Sequence, residues 1–377
     1  IHYVLDRQDD LGDGFVMEWL DGITLGAKVV RDSDLDEIRP TLARRSGEVL
    51  AKIHAIDLEE SGLTACLDAI TPAEYVEQTW TRYRDFETAQ PMIDYTGRWL
   101  VDNLPGEYSP SLVHNDFRNG NIMFDQRGIV AILDWEVAHI GDPMRDLGWI
   151  CTNSWRFGRS DLPVGGFGEY EDLFAGYESV SGKEVDRERV RWWEVFGSFW
   201  WAIGCLGMAE HYRSGPDKTV ERPAIGRRSS ECQVDCVNLL IPGDVELIKP
   251  GANHGSNEMP RTEELLTSVR DFLREDVMEE THGRTNFLAR VASNSLDITI
   301  REQIMGSALK DGEALRLSNL IDREGGVDDL RWALVEGLRS NTIALDTPGL
   351  EDYLRFKVIN QVAIDQPNYS GFKKAIN

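Results

Sequence analysis

Leu112-Val113-His114-Asn115-Asp116-Phe117-Arg118-Asn119-Gly120-Asn121, followed by Ile132-Leu133-Asp134-Trp135, is the part of the sequence that decides the fold. It sets an Asp, an Asn five positions on, and a second Asp beyond two short apolar runs. Phosphoryl transfer needs such a set: a carboxylate to orient a hydroxyl, and an amide and a carboxylate to hold Mg²⁺.

The spacing predicts a geometry. Ile122-Met123-Phe124 and Ile129-Val130-Ala131-Ile132-Leu133 are apolar and rich in β-branched residues, and Asp125-Gln126-Arg127-Gly128 between them ends in Gly. Such a pattern predicts a β-hairpin. A four-residue loop pairs Phe124 with Ile129 and puts Asn121 opposite Ile132. Asp134, on the same face as Ile132, is then the diagonal neighbour of Asn121, about 5–8 Å away. Two hard oxygen ligands at that spacing share one Mg²⁺, with ATP phosphates and waters completing the octahedron. Asp116 falls where the chain leaves the preceding strand, within reach of a substrate hydroxyl. Asp and Asn also populate turns for purely local hydrogen bonds. The second Asp at the hairpin exit, and Gly141-Asp142-Pro143-Met144-Arg145-Asp146-Leu147 soon after, argue against that simpler origin.

On these residues, Val113 to Trp149 resembles the aminoglycoside phosphotransferase / choline kinase-like superfamily. Within it the block is similar to the branch related to the kinase domain of acyl-CoA dehydrogenase fusion proteins. The resemblance implies an α+β protein-kinase-like fold, mostly the helical C-lobe with a catalytic β-hairpin and a remnant of the N-lobe sheet. It implies Asp116 as catalytic base, Asn121 and Asp134 as Mg²⁺ ligands, ATP as phosphoryl donor and His114 as a packing residue of the catalytic loop. Asp146 would cap the following helix and brace that loop. The family usually has Gly where this chain has Asn115; Asn tolerates left-handed backbone angles better than most residues.

The chain opens with Ile1 and runs into Tyr3-Val4-Leu5 and Gly14-Phe15-Val16-Met17-Glu18-Trp19-Leu20-Asp21-Gly22, which resembles the last N-lobe strand and hinge of these kinases. Backbone around Glu18 to Leu20 would then bond the adenine edge, with Met17 lining the pocket. Since no glycine-rich loop, strand-borne Lys or Glu partner precedes this run, the expectation is a fragment or natural truncation lacking one small lobe, roughly 80–100 residues.

The length of 377 residues suggests two or three domains. A formal net charge of −25 argues against nucleic acid and anionic membranes as main partners. Five cysteines without a regular framework fit a reducing, cytoplasmic setting. Cys232 and Cys236 lack the further ligands zinc wants. Trp192 to Leu206 is strongly apolar but short for a membrane span and carries Glu194, so a buried helix is expected.

Periodicity predicts helices over 33–57, 72–101, 167–181, 187–212 and 218–240, with a loop over 152–166. His54 is expected as a packed helix residue. Arg156, Arg159 and Arg213 are candidates to meet an anionic substrate tail, with solvated surface positions as the simpler role. Pro242-Gly243, Pro250-Gly251, Gly255 and Pro260 mark a linker over 241–260 between a phosphotransferase portion, 1–240, and a helical portion, 261–377. In the latter, Leu265, Leu266, Val269, Phe272, Leu273 and Val277 form one amphipathic stripe, and Phe287, Leu288, Val291, Leu296 and Ile300 a second. Helices are expected over 311–322, 327–339 and 348–364. This tail resembles an uncharacterised helical domain family and shows no recognisable chemistry; protein–protein contact is its expected role.

The function expected is ATP- and Mg²⁺-dependent phosphorylation of a small-molecule hydroxyl, with a hydroxyacyl-CoA-like metabolite favoured over an aminoglycoside. Phe117-Arg118 and Asp134-Trp135-Glu136, which look like the dehydrogenase-linked branch, carry that preference. A kinase remnant acting as a binding module is the alternative, and a metal-dependent hydrolase on the same carboxylates a third.

Overall fold

A computed structural model describes residues 1–250 and 259–377. Three two-stranded antiparallel pairs and a large helical body make up the described residues. β1 (Tyr3–Val4) pairs with β2 (Phe15–Val16), and β3 (Ser111–Val113) with β6 (His139–Gly141). Between the latter lies the hairpin β4 (Ile122–Asp125) and β5 (Gly128–Ile132). Ile23 bridges to Phe124 and joins the N-terminal segment to the hairpin.

α1 (Gly26–Arg31) precedes α2 (Leu42–His54), which starts later than the expected 33–57 helix. Pro40 has no N–H to donate, and the chain before and through it forms 3₁₀ turns at Ser33–Leu35 and Arg39–Thr41. The expected 72–101 helix is two helices, α3 (Pro72–Arg84) and α4 (Pro91–Asp102). Each begins with proline, which suits the first helical turn; α3 also has a Thr71/Glu74 capping box. α5 (Met144–Cys151), α6 (Tyr170–Ser181) and α7 (Arg187–Ser214) follow. The last holds the expected buried aromatic run, and no helix among the described residues is long and apolar enough to cross a membrane. The expected 218–240 helix divides at Arg228 into α8 (Glu221–Arg227) and α9 (Ser229–Leu240).

α2 and α6 lie against each other with glycines at the crossing. A Cβ on Gly47 would sit 2.1 Å from the Leu173 carbonyl oxygen, and one on Gly176 2.0 Å from that of Arg44. This approach puts His54, at the end of α2, within 3.1 Å of the Tyr177 hydroxyl on α6. The core beneath joins Leu42, Leu50, Val76, Phe117, Phe124, Leu147, Trp193, Phe196 and Phe199, so the catalytic segment is anchored in the same core as the helices around it.

In the tail, α10 (Thr262–Phe272) runs through a π turn, Leu273–Val277, into the single turn α11 (Met278–Glu280). α12 (Gly283–Ile321) is one long helix that absorbs both the second stripe and the expected 311–322 helix. α13 (Val327–Arg339), α14 (Leu350–Asp365) and α15 (Ser370–Ala375) complete it. Residues of α4 and α9 (Met92, Tyr95, Val234, Val237) share a buried cluster with Leu330, Leu334, Leu350, Tyr353 and Ile359 of the tail. Across the same junction Arg339 pairs with fully buried Asp94 at 2.6 Å. Of the expected linker, residues 251–258 lie outside the described residues. The part before them is tied to α14, where the Ile248 N–H donates to Asn360 Oδ1 at 2.8 Å.

Candidate active site

Asp116 lies three residues past the end of β3, in a loop whose shape Asn115 sets. Asn115 has φ 69°, the left-handed region, where Asn is among the few tolerated side chains. The buried Asn115 amide donates to the Tyr75 hydroxyl at 2.7 Å and to the Val137 carbonyl at 3.2 Å, and accepts from Arg145 Nε at 2.9 Å. The turn is thus held by side-chain bonds that a glycine would not make.

The half-buried Asp116 carboxylate accepts three hydrogen bonds. Trp149 Nε1 and Arg118 Nε donate to Oδ1 at 2.7 and 2.9 Å, and Asn121 Nδ2 donates to Oδ2 at 2.5 Å. A carboxylate has about four lone-pair positions, so about one is left for an incoming hydroxyl. Asp116 and Asn121 are therefore brought together as the spacing predicts. His114 braces the loop: its ring bonds the Leu133 carbonyl at 2.9 Å and accepts from the Asp116 N–H at 3.2 Å.

Asp146 lies fully buried behind the loop. Its carboxylate accepts the backbone N–H groups of His114 and Asn115 at 2.8 and 2.7 Å, and meets His54 Nε2 at 3.1 Å. Burial opposes its ionisation, but the hydrogen bond from His54 and the neighbouring His114 outweigh that and hold its pKa below the usual carboxylate range. Asp146 thus bonds the loop backbone from behind, and it does not cap the helix. Asp146 is already inside α5, and the bond to the first helical N–H comes from Asp142, whose Oδ1 accepts from Met144 N at 3.0 Å.

The hairpin register differs by one residue from the prediction. Phe124 does pair with Ile129, but a bulge between Met123 and Phe124 pairs Ile122 with Ile132. Asn121 then faces Leu133, whose N–H donates to the Asn121 carbonyl at 2.7 Å. A bulge inserts an extra residue on one strand and shifts everything beyond it. Asp134 follows next, exposed and with φ 65°, so it leaves the chain from a turn and not from a strand face.

The donor set fits Mg²⁺. The Asn121 amide directs its N–H to Asp116, leaving its oxygen as a free acceptor, and the Asp134 carboxylate is exposed. Among the described residues no group of three or more His, Cys, Asp or Glu side chains converges as a metal cage. One amide and one carboxylate suffice where phosphates and water complete the octahedron.

On the expected adenine side, Met17 and Glu18 are exposed. Leu20 is half-buried and lines, with Trp19, Leu35, Phe124 and Val130, an open cavity of about 500 Å³ that does not include Met17 or Glu18. Of the arginines offered for an anionic tail, Arg159 is half-buried and Arg213 exposed, and they are paired with Asp161 and Glu210. Arg156 is a correction: it is buried against Glu194 at 2.8 Å and donates to the Cys151 carbonyl, closing the base of the 152–166 loop. Sequence reasoning did not find Trp149 or Asn119. Trp149 is distant in sequence from Asp116, and only packing shows its N–H direction. Asn119 donates to the Trp155 and Gly165 carbonyls and ties the same loop to the catalytic segment; its place inside the Asp116–Asn121 interval is the signal that was available.

A hairpin following an Asp–Asn loop, braced by a buried Asp on the next helix and surrounded by a helical lobe, defines a kinase-like phosphotransferase fold. Residues 1–184 match the model of the phosphotransferase enzyme family, and residues 279–369 match a domain of unknown function (DUF6285). The chain is 32% identical over 160 residues to acyl-CoA dehydrogenase family member 10 of Mus musculus, covering 39% of this chain and 14% of that protein. It is 22% identical over 354 residues to acyl-CoA dehydrogenase family member 11 of Pongo abelii, covering 85% of this chain and 43% of that protein. The chain thus spans less than half the length of these relatives. A crystallised Ralstonia eutropha protein with a provisional aminoglycoside phosphotransferase assignment shares the fold, with TM-score 0.51 and 23% identity over 60% of this chain and 72% of that one.

Proposed function

We propose that this chain carries an ATP- and Mg²⁺-dependent phosphotransferase site that phosphorylates a hydroxyl of a small molecule. The observation that supports this most is Asp116, with Asn121 bonded to one of its oxygens and about one lone-pair position left open. Asp116 orients the acceptor hydroxyl and takes its proton as the phosphoryl group transfers. Asn121 and Asp134 would hold Mg²⁺, which when bound would neutralise charge on the phosphates. His114, Asn115 and Asp146 keep the loop from moving, so positioning carries most of the rate. The backbone of Glu18 to Leu20 would meet the adenine edge, with Met17 beside it.

For the acceptor we favour a hydroxyacyl-CoA-like metabolite over an aminoglycoside, since the relatives covering most of this chain are named acyl-CoA dehydrogenase family members. The test is Mg·ATP turnover, read as ADP release, with hydroxyacyl-CoA and aminoglycoside acceptors in parallel. ADP release stimulated by hydroxyacyl-CoA alone supports the full reading; stimulation by aminoglycosides alone reverses the substrate choice. The exposure of Met17 and Trp19 favours, as a second reading, a kinase-like module that binds without catalysing. Thermal stabilisation by Mg·ATP with no ADP release from any acceptor would select it. Saturation at about 100 times the dissociation constant stabilises by about 2.7 kcal/mol.

A further inference from the structure

A buried cation beneath Asp116 has no part in the chemistry so far. Arg145 is fully buried in α5, one place before Asp146. Its Nε and Nη2 donate to the side chain and carbonyl of Asn115, at 2.9 and 3.3 Å, while Nη1 has no hydrogen-bond partner among the described residues; Tyr75 and the carboxylates of Asp146 and Asp116 lie near enough to favour its charge. No carboxylate lies within salt-bridge distance of it among the described residues. Its guanidinium sits 4.6 Å over the Trp149 ring, with the rings of Phe196, Trp200, Trp193 and Tyr75 5.2–5.9 Å away.

Burying a guanidinium without a carboxylate partner is costly, and a neutral side chain would pack the same space more stably. The cation's contacts show where its charge acts. Asn115 is the left-handed residue directly before Asp116. Trp149, whose face Arg145 covers, donates to Asp116 Oδ1 at 2.7 Å. A cation on the face of an indole withdraws density from the ring and makes its N–H a stronger donor. Edge contacts to Trp155 and Trp200, both at 5.1 Å, fix the direction of that N–H.

We propose that Arg145 and Trp149 are a positioning pair for Asp116. Arg145 fixes the backbone that carries the carboxylate and charges the indole face, and the indole holds Oδ1 so that the remaining open position faces the acceptor hydroxyl. Arg118 grips the same oxygen from the half-exposed side. This rests on Asp116 being the hydroxyl-orienting group, and no bond is made or broken by either residue.

The test uses the full chain with Trp149→Phe, which keeps the ring and removes the donor, Arg145→Met, and Arg145→Lys, which restores the charge without the planar fork. Turnover of Mg·ATP should fall about 10²-fold in kcat for the first two, with KM for ATP moving less than about twofold, the pattern of lost orientation. Arg145→Lys should recover part of that kcat. Independently of activity, the Trp149 indole resonance in ¹⁵N-tryptophan-labelled protein, assigned by its loss in Trp149→Phe, should move in both Asp116→Asn and Arg145→Met. An unmoved resonance in both variants overturns the proposal, as does Trp149→Phe with unchanged kcat. If the unsubstituted chain releases no ADP with any acceptor, the catalytic reading fails on its own, and the resonance still decides the pair. If Arg145→Met does not fold, Trp149→Phe and the Asp116→Asn resonance carry the decision.

Discussion

Replacing Asn115 by Ala and by Gly separates two things this residue does. Either change removes hydrogen bonds to the Tyr75 hydroxyl, to the Val137 carbonyl and from Arg145 Nε. Neutral bonds are worth about 1 kcal/mol each and the charged one about 1.5–3, so both variants should lose about 3–5 kcal/mol. The backbone then distinguishes them. At φ 69° alanine suffers left-handed strain of about 1–2 kcal/mol, which glycine escapes. Glycine has the more flexible unfolded chain and gives back about 0.4–1 kcal/mol of that advantage. The Gly variant should therefore be more stable than the Ala variant by up to about 1.5 kcal/mol, with both well below the unsubstituted protein. Urea unfolding at equal slope reads the three values directly. A Gly variant as stable as the unsubstituted protein would show that the amide network contributes nothing. An Ala variant more stable than the Gly variant by about 0.4–1 kcal/mol would show that the left-handed backbone imposes no constraint.

Three further outcomes are expected. Asp116→Ala should cut Mg·ATP turnover by about 10²-fold or more while sparing nucleotide-induced stabilisation; near-normal ADP release would remove Asp116 from its role. Asp146 is held below its ordinary value of 3.8, against burial, chiefly by His54. The unfolded state therefore binds the proton more readily, and the stability this contributes is present above that pH and lost as pH falls through the folded value. His54→Gln should flatten the acid limb of stability measured by urea unfolding below about pH 5, and an unchanged limb would discount the His54–Asp146 contact. Arg339→Met leaves Asp94 buried with only Trp80 and Tyr83 as donors, so it should destabilise by about 3 kcal/mol. A loss below about 1 kcal/mol, the size of an exposed pair, would show that the tail is not coupled to the lobe through this pair.

What the sequence determined by itself is local. Asp116, Asn121 and His114 lie in one short loop, where spacing fixes which groups can meet, and the hairpin turn and Phe124–Ile129 pair follow from the same nearby residues. The long aromatic helix is legible because a strongly apolar run of that length has few other solutions. The left-handed Asn115 is legible because few residue types accept that backbone. Tertiary structure decided the rest. The bulge that moves Asn121 opposite Leu133 lies beside Phe124, where Ile23 bridges to the hairpin, and no pattern of alternation records one extra residue. Asp146 reads as a helix cap in the sequence, yet the fold turns it inward onto the catalytic loop and gives the cap to Asp142. Arg156 reads as a surface arginine and is buried by the chance of facing Glu194 across a loop. Trp149 and Arg145 meet the catalytic loop only because α5 packs behind it, and the direction of an indole N–H is set by its neighbours in space. The junction with the tail follows the same rule: only packing specifies that α13 and α14 cover the apolar side chains of α4 and α9.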